Sequence, residues 1–409
     1  MLLKHLILHI CAWFTLLAVA GCGEQVVYPL ATPAGAHSSA PNFSTDSRGR
    51  PVLSWQRKDQ AATVLEYSVL FEDGWSKPVE VARGTDWFVN WADIPAVLAV
   101  NDSFWVAHYL QRTPGGKFAY DVQLRLSNDG GQNWRDAGSP HSDSTLTEHG
   151  FVSLYAHGNE LGLVWLDGRE TAPGGHAEAH GADHGGMTLR SAYINAQGKL
   201  TQERQIDGLV CDCCQTAAVM TKDTPLVIYR DRDKSEIRDI ASSRLLKQGW
   251  TSPEPVAVDG WLVNGCPVNG PVAVARGNDV AVVWFSGADE LSQIFFSRSI
   301  DGGVSFDRKL KVNKHSALGR VAAVMYPDRS LWLTWMREDA RGEAWIVGRH
   351  ISADNDLGPV RELVEVSSER QSGFPKLGLA GSEVVLAWTA LVDSASQVRT
   401  LIVDKNEAD

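Results

Sequence analysis

Seven times along the 409 residues, a polar turn leads into a short alternating apolar run that ends at an aromatic residue or a histidine, followed by a charged or polar cluster. The runs read PVLSWQRKD to Asp59, SFWVAHYLQR to Arg112, LGLVWLDGRE to Glu170, PLVIYRDRD to Asp233, VAVVWFSGAD to Asp289, LWLTWMRED to Asp339 and VVLAWTALVD to Asp393. Their anchors, Trp55, His108, Trp165, Tyr229, Trp284, Trp335 and Trp388, recur every 51 to 64 residues. A period of that length marks one supersecondary unit stacked on copies of itself, since a single unit cannot bury its own apolar face. It argues against separate domains and gives the fifteen tryptophans a structural place.

Each anchor run is preceded by another apolar run and a tight turn, as in VSLYAHGNELGLVW and PVAVARGNDVAVVW. Apolar alternation broken by Gly-Asn, Asn-Asp or Asp-Arg is hairpin chemistry. A third run follows each anchor: Val64 to Leu70, Val122 to Leu126, Met187 to Ile194, Ile237 to Ser243, Ile294 to Ser299, Trp345 to Ile351 and Val398 to Val403. Three or four strands per period, with almost no helical periodicity, define the blade of an all-β propeller, here of seven blades over residues 41–404. The last repeat stops at its third strand, whereas Gln25 to Leu30 precede any first blade. An N-terminal strand completing the last blade would remove two open edges at once. Residues 22–40 are thus expected to combine this closing strand with a tether rich in Ala, Ser and Pro.

The turns after the third strands carry a recognisable motif. Ser127-Asn128-Asp129-Gly130-Gly131-Gln132-Asn133-Trp134 and Ser299-Ile300-Asp301-Gly302-Gly303-Val304-Ser305-Phe306 match S-x-D-x-G-x-x-[WF], and Glu72–Trp75 and Lys247–Trp250 are weaker copies. The motif resembles the Asp-box of the sialidase and BNR-repeat superfamily. Its key residues here are Ser127, Asp129, Gly131 and Trp134, then Ser299, Asp301, Gly303 and Phe306. The carboxylate takes backbone N–H groups of the turn, glycine supplies positive φ, and the aromatic packs between blades. The resemblance implies fold more than reaction, because one fold hosts many functions. Catalytic sialidases have six blades, which keeps six as the alternative to seven. They hold the substrate carboxylate with three arginines and use a Tyr–Glu nucleophile and an Asp acid. The Arg-Ile-Pro motif that usually supplies the first arginine is missing, and Arg50-Pro51 falls in a hairpin turn on the wrong end of its blade.

The N-terminus sets the compartment. A basic start at Lys4, an apolar run from Leu6 shorter than a spanning helix, and the ending Val19-Ala20-Gly21-Cys22 resemble a bacterial lipoprotein signal peptide over residues 1–21. Cys22 would then be the lipidated first residue of the mature chain and the lipid bilayer its partner. With no Asp at position 23, the resemblance implies the outer membrane, facing periplasm or exterior. A plain secretory signal or an anchor helix is the other reading. A formal charge of −11 argues against nucleic acid or an anionic membrane surface as partners, since both need a basic face.

In a propeller, the loop after each second strand and the loop entering each first strand open on one end of the channel. Sorting by this rule gathers the unusual residues: Asp93 with Trp87, Asn90 and Trp91; Glu148 and His149; Asp167, Arg169 and Glu170; Arg230 and Arg232; Arg337; His315; and two cysteine loops. Cys211-Asp212-Cys213-Cys214 enters blade four and Cys266 enters blade five. Cys213 and Cys214 should not pair with each other, adjacent Cα atoms lying only about 3.8 Å apart. One or two disulfides tying the loops suit an oxidising compartment. A thiolate metal site is the second reading, since Cys-x-Cys puts two sulfurs on one side of an extended strand. Thiols awaiting a redox partner are the third.

The insert after Glu170 places His176, His180 and His184 four apart among Glu178 and Asp183. They offer imidazole and carboxylate to copper or zinc, although four flanking glycines favour a solvated loop. Arg169, Arg230 and Arg337, with Asp93 and a tyrosine such as Tyr155 or Tyr229, are candidates for a sialidase-like catalytic site. Surface ion pairs are the ordinary fate of such arginines. Trp87 and Trp91 are candidates for stacking on a sugar ring. The expectation is therefore a binding or accessory propeller for a metal, glycan or protein ligand, with an exo-sialidase or related glycoside hydrolase as the alternative.

Overall fold

A computed structural model describes residues 27–171, 186–392 and 395–404. Its strands form seven antiparallel sheets of four or five strands. The innermost strands, in blade order, are Ser38–Thr45, Ala96–Ala99, His149–His157, Ala217–Met220, Val272–Arg276, Gly319–Met325 and Lys376–Ala380. Each runs next to its neighbours in the following and preceding blades, and Ser38–Thr45 meets Lys376–Ala380, so the series closes into a ring. Apart from the 3-10 turns Ala288–Glu290 and Arg370–Ser372, no helix occurs among the described residues. The fold is a seven-bladed β-propeller, and seven rather than six is the observed number.

Second strands carry the anchors, and their alternation explains the packing. Trp55, Trp165, Tyr229, Trp284, Trp335 and Trp388 each enter the hydrophobic cluster shared with the preceding blade. The clusters number seven, one per blade interface, so the core is a ring of interfaces rather than a single centre. Burying one aromatic of this size contributes roughly 3 kcal/mol, and each blade depends on its neighbour for it. Three anchors also satisfy their indole N–H groups with carboxylates: Trp55 on Glu66 at 2.9 Å, Trp165 on Asp167 at 2.8 Å and Trp284 on Asp259 at 2.7 Å.

Blade seven is completed from the other end of the chain. Val27–Leu30 pairs antiparallel with Ala395–Val403, Val27 opposite Val403 and Leu30 opposite Thr400. Side chains tighten the junction: Thr400 Oγ1 donates to the Leu30 carbonyl at 2.9 Å and Thr32 Oγ1 to the Val398 carbonyl at 2.8 Å. The two full S-x-D-x-G turns lie on the face opposite the loops that enter the first strands. In one, Ser299 Oγ donates to Asp301 Oδ1 at 2.7 Å, which also accepts the Val304 and Ser305 N–H groups at 3.0 Å. Gly303, at φ +82°, closes the turn on Ser299 Oγ. Phe306 packs at the interface of blades four and five, and Trp134 at that of blades one and two.

Candidate functional site

The central channel holds a cavity of about 220 Å³ lined by the first strands and the loops that enter them. Three backbone irregularities lie at its mouth. The first strands of blades one, three and six slip register at their start, and Ala40, Phe151 and Arg320 there adopt φ of +55°, +53° and +53°. Bulges of this kind re-aim side chains at the ends of strands.

Asp93 sits at this mouth within a buried network. The Tyr120 hydroxyl lies 2.8 Å from both Asp93 Oδ2 and Glu148 Oε1, and Asp93 Oδ1 accepts the Phe151 N–H at 2.9 Å. Gly150 makes room for this approach, since a Cβ there would meet Asp93 Oδ2 at 2.0 Å. Burial pushes the Asp93 carboxyl up to about 7, against the hydrogen bonds from Phe151 and Tyr120 that lower it. Tyr120 is held well above the usual phenol range by burial and by the two carboxylates. Across the channel Lys376 is brought down to about 8 by desolvation. A buried carboxyl raised to about 7, hydrogen-bonded to a phenol, is a group able to hold or release one proton near neutral pH.

The cysteines gather beside it. Sulfur atoms of Cys211, Cys213 and Cys214 all lie within 4.8 Å of one another, and all three residues are buried. Cys266, from the loop entering blade five, reaches Cys213. No disulfide is present among the described residues, which departs from the expectation of one or two bridges. Cys211 Sγ and Cys214 Sγ stand 2.8 Å apart, well beyond a covalent sulfur–sulfur bond. Burial opposes ionisation of Cys211, but hydrogen bonds from the Cys213 and Cys214 thiols and the fields of Arg238 and Arg230 outweigh it and draw its pKa well below the usual thiol range. Arg238 Nη1 is 3.5 Å from Cys211 Sγ. Cys213 moves the other way, raised by its hydrogen bonds to the other three thiols and by burial. A thiol drawn toward ionisation among neighbouring thiols is a group on which a soft metal ion would replace protons.

The arginine candidates do not meet at a common point. Arg169 is forked on Asp167 at 2.7 Å and touches Glu203 at 2.9 Å. Arg230 is buried and spends its guanidinium on the carbonyls of Asn269, Arg238 and Phe285. Arg337 pairs with Glu362 on the surface of blade six. Tyr155 donates to the Tyr193 hydroxyl at 3.2 Å, and Tyr229 to Asp207 at 2.7 Å, both inside the interface of blades three and four. Trp87 is buried against Tyr109, whereas Trp91 lies at the mouth, stacked on Phe374 with Arg320 5.1 Å over its ring. His176, His180 and His184 lie outside the described residues, as does Cys22.

Sequence reasoning passed over Tyr120, the hub of the carboxyl network, because it opens an ordinary third strand. It also passed over Asp121, His141 and Asp143, which join His149 and Asp167 between blades two and three. The signal was in Ser139 to His149, where His-x-Asp and Glu-His fall in one loop entering a first strand.

No family model matches the chain, and no curated protein matches it. Solved structures of similar shape do exist. A polysaccharide lyase, Uly1, aligns over 93% of this chain and 93% of its own at a TM-score of 0.52 and 10% identity. A PL25 ulvan lyase bound to -[GlcA(1-4)Rha3S]- aligns over 92% of this chain and 93% of its own at 0.54 and 10%. Trypanosoma rangeli sialidase in complex with the inhibitor DANA aligns at 0.46 and 10% over 81% of this chain, which spans 57% of that sialidase. At these identities the lyase comparisons speak to the overall fold alone.

Proposed function

We propose that this chain is a lipid-anchored extracytoplasmic propeller that binds a thiophilic metal ion, copper or zinc, through Cys211, Cys213, Cys214 and Cys266. The observation that carries the reading is the convergence of three buried sulfurs from one loop with Cys266 from the next. Thiolates select zinc or Cu(I) over calcium or magnesium. Its role is that of a binding or accessory protein. Acylation at Cys22 would leave four residues, about 17 Å from Cys22 to Val27 at full extension, before the strand at Val27, holding blade seven close to the outer membrane. Metal analysis of anaerobically purified protein, combined with thiol counting, tests the site. One equivalent lost on Cys213→Ala or Cys266→Ala is expected, and full metal-free reactivity of four thiols refutes it. Palmitate labelling lost on Cys22→Ser tests the anchor.

A second reading rests on the Asp93–Tyr120–Glu148 network beside the channel and on the shape shared with polysaccharide lyases. In it, the network handles a proton during cleavage of an anionic glycan. Turnover of a uronate-containing polysaccharide or of a fluorogenic sialoside, abolished by Tyr120→Phe, would favour it. Loss on Arg169→Ala or Arg230→Ala instead would point to a sialidase-like arginine site.

A further inference from the structure

Where blades six and seven meet the channel mouth, three cations stand without a carboxylate partner among the described residues. Lys376 opens the innermost strand of blade seven and lines the central cavity. Its ammonium makes no hydrogen bond or ion pair among the described residues, and desolvation lowers it with no carboxylate near enough to oppose the shift. Arg320, buried at the start of the blade-six strand, gives its donors to neutral groups: the Ser368, Glu369 and Gly373 carbonyls, Ser372 Oγ and Met336 Sδ. The exposed guanidinium of Arg370 lies 5.9 Å from the Trp91 ring centroid, with Arg320 5.1 Å from the same centroid. Trp91 in turn stacks on Phe374, which lines the cavity with Lys376. The carboxyls of the mouth, Asp93 and Glu148, are engaged by Tyr120 instead. A guanidinium bonded to carbonyls keeps its whole charge. On a chain of formal charge −11 this corner is therefore a local positive excess, and low-dielectric walls of one sign concentrate the field that draws an anion in.

We infer that this side of the channel binds a small oxyanion, a carboxylate or a phosphate group, with Lys376 as its direct partner inside the channel and Arg370 reaching it from the rim. Size limits the ligand. The cavity of about 220 Å³ falls below the roughly 300–1,000 Å³ of sites for drug-sized molecules, so it suits a small free anion and no polymer. The chemistry of the pair agrees. An ammonium is a compact charge with three rotatable donors and a guanidinium presents a planar fork, so together they accept a planar carboxylate or a tetrahedral phosphate. Arg320 is a positioning residue. Its donors are spent, yet its charge adds to the field, and its bonds to Glu369, Ser372 and Gly373 hold the turn Arg370–Ser372 that carries Arg370. Lys376 makes no structural contact through its ammonium that a neutral side chain of the same length would lose. The site needs neither the sulfur cluster nor any turnover at the Tyr120 network.

Reductive methylation of the folded chain with formaldehyde and dimethylamine–borane, read lysine by lysine by peptide mass spectrometry, reports on Lys376 directly. Acetate, D-glucuronate and inorganic phosphate are compared with chloride at equal ionic strength. A bound anion shields the amine, so at about ten times its Kd the Lys376 rate should fall about tenfold, while the exposed Lys314 keeps its rate. Protection by the carboxylates alone, or by phosphate alone, identifies the oxyanion and supports the site in either case. Arg370→Ala should weaken the protection about two- to fivefold, as for an exposed charge partner. Lys376→Met removes the charge and keeps the length. It should be at least as stable as the wild type without anion, and should lose the rise in unfolding temperature that the anion gives the wild-type chain. Methylation of Lys376 at one rate in all three anions and in chloride, or a folded Lys376→Met that keeps the anion-dependent stabilisation, overturns the site. No metal and no turnover enter either measurement, so the cysteine reading and this one fail separately.

Discussion

Gly270 presses its backbone against that of Gln215, so closely that a Cβ at position 270 would stand 2.0 Å from the Gln215 carbonyl oxygen. The Gly270 N–H also donates to Gln215 Oε1 at 2.9 Å, and Gln215 Nε2 donates to the Ala92 carbonyl at 2.9 Å. Gln215 directly follows Cys214, and Gly270 lies four residues beyond Cys266. This contact therefore registers the two cysteine loops against each other. Gly270→Ala forces backbone apart from backbone and is expected to cost about 1–3 kcal/mol, with weakened metal retention as Cys266 moves off Cys213. Gly265→Ala, in the same loop but facing open space, should be nearly neutral. Urea denaturation and metal analysis of the two variants check this; equal behaviour would sink the account.

Indole donors on three anchors give a second expectation. Trp284 is fully buried and donates to Asp259, which also pairs with Lys309. Trp284→Phe keeps most of the apolar area but strips the buried carboxylate of one donor, at a cost of about 1–3 kcal/mol. Trp284→Ala also empties the interface of blades four and five and should cost about 3–5 kcal/mol. If equilibrium unfolding leaves Trp284→Phe as stable as the wild type, the hydrogen bond contributes little; if the two variants are alike, the emptied interface does.

The blades were legible because each repeats the same physical demand: alternating apolar residues, an anchor and a tight turn. His108 shows how far that rule reaches, since it stands where the other blades have an aromatic and is fully buried all the same. The site was legible where the blade rule carried charged or sulfur-bearing residues to one mouth, as with Asp93, Glu148, Cys266 and the Cys211–Cys214 loop. The Tyr120 network and the His141–His149–Asp121 group combine strand residues with residues of the loops entering blades two and three. Their members look individually like ordinary strand and loop residues. Arg230 misled for the converse reason: its charge suggested a ligand, yet a guanidinium with five donors satisfies carbonyls of three residues in the interior just as well.

The raised carboxyl of Asp93 makes stability depend on pH. Its ordinary value is 3.8 and burial lifts it to about 7 in the folded chain, so the folded state holds the proton more tightly than the unfolded one. The stabilisation is complete below about pH 4 and is lost as pH rises through about 7. It amounts to on the order of 4 kcal/mol across that window. Asp93→Asn retains an acceptor for the Phe151 N–H without an ionisable proton, and its unfolding free energy should lack this decline. Denaturation midpoints of both proteins between about pH 5 and 8 test the point. Parallel profiles would show that Asp93 does not titrate there.

Ring closure by Val27–Leu30 makes the last and most global expectation. Without this strand, the residues of Ala395–Val403 that face it, from Thr400 to Val403, would present an open row of backbone donors and acceptors, and Thr400 Oγ1 would lose the Leu30 carbonyl. Exposed edges of this kind pair with other chains. Chains starting at residue 31 should therefore unfold at lower denaturant and self-associate with rising concentration. Chains starting at residue 25 should stay monomeric. A substitution separates side-chain locking from strand pairing: Thr400→Val removes only the hydroxyl and should cost about 1 kcal/mol without inducing association. Light scattering and urea denaturation read both effects. A truncated chain that stays monomeric and equally stable would mean that the ring is held by its seven interfaces alone, with the N-terminal strand serving merely to lead the chain in.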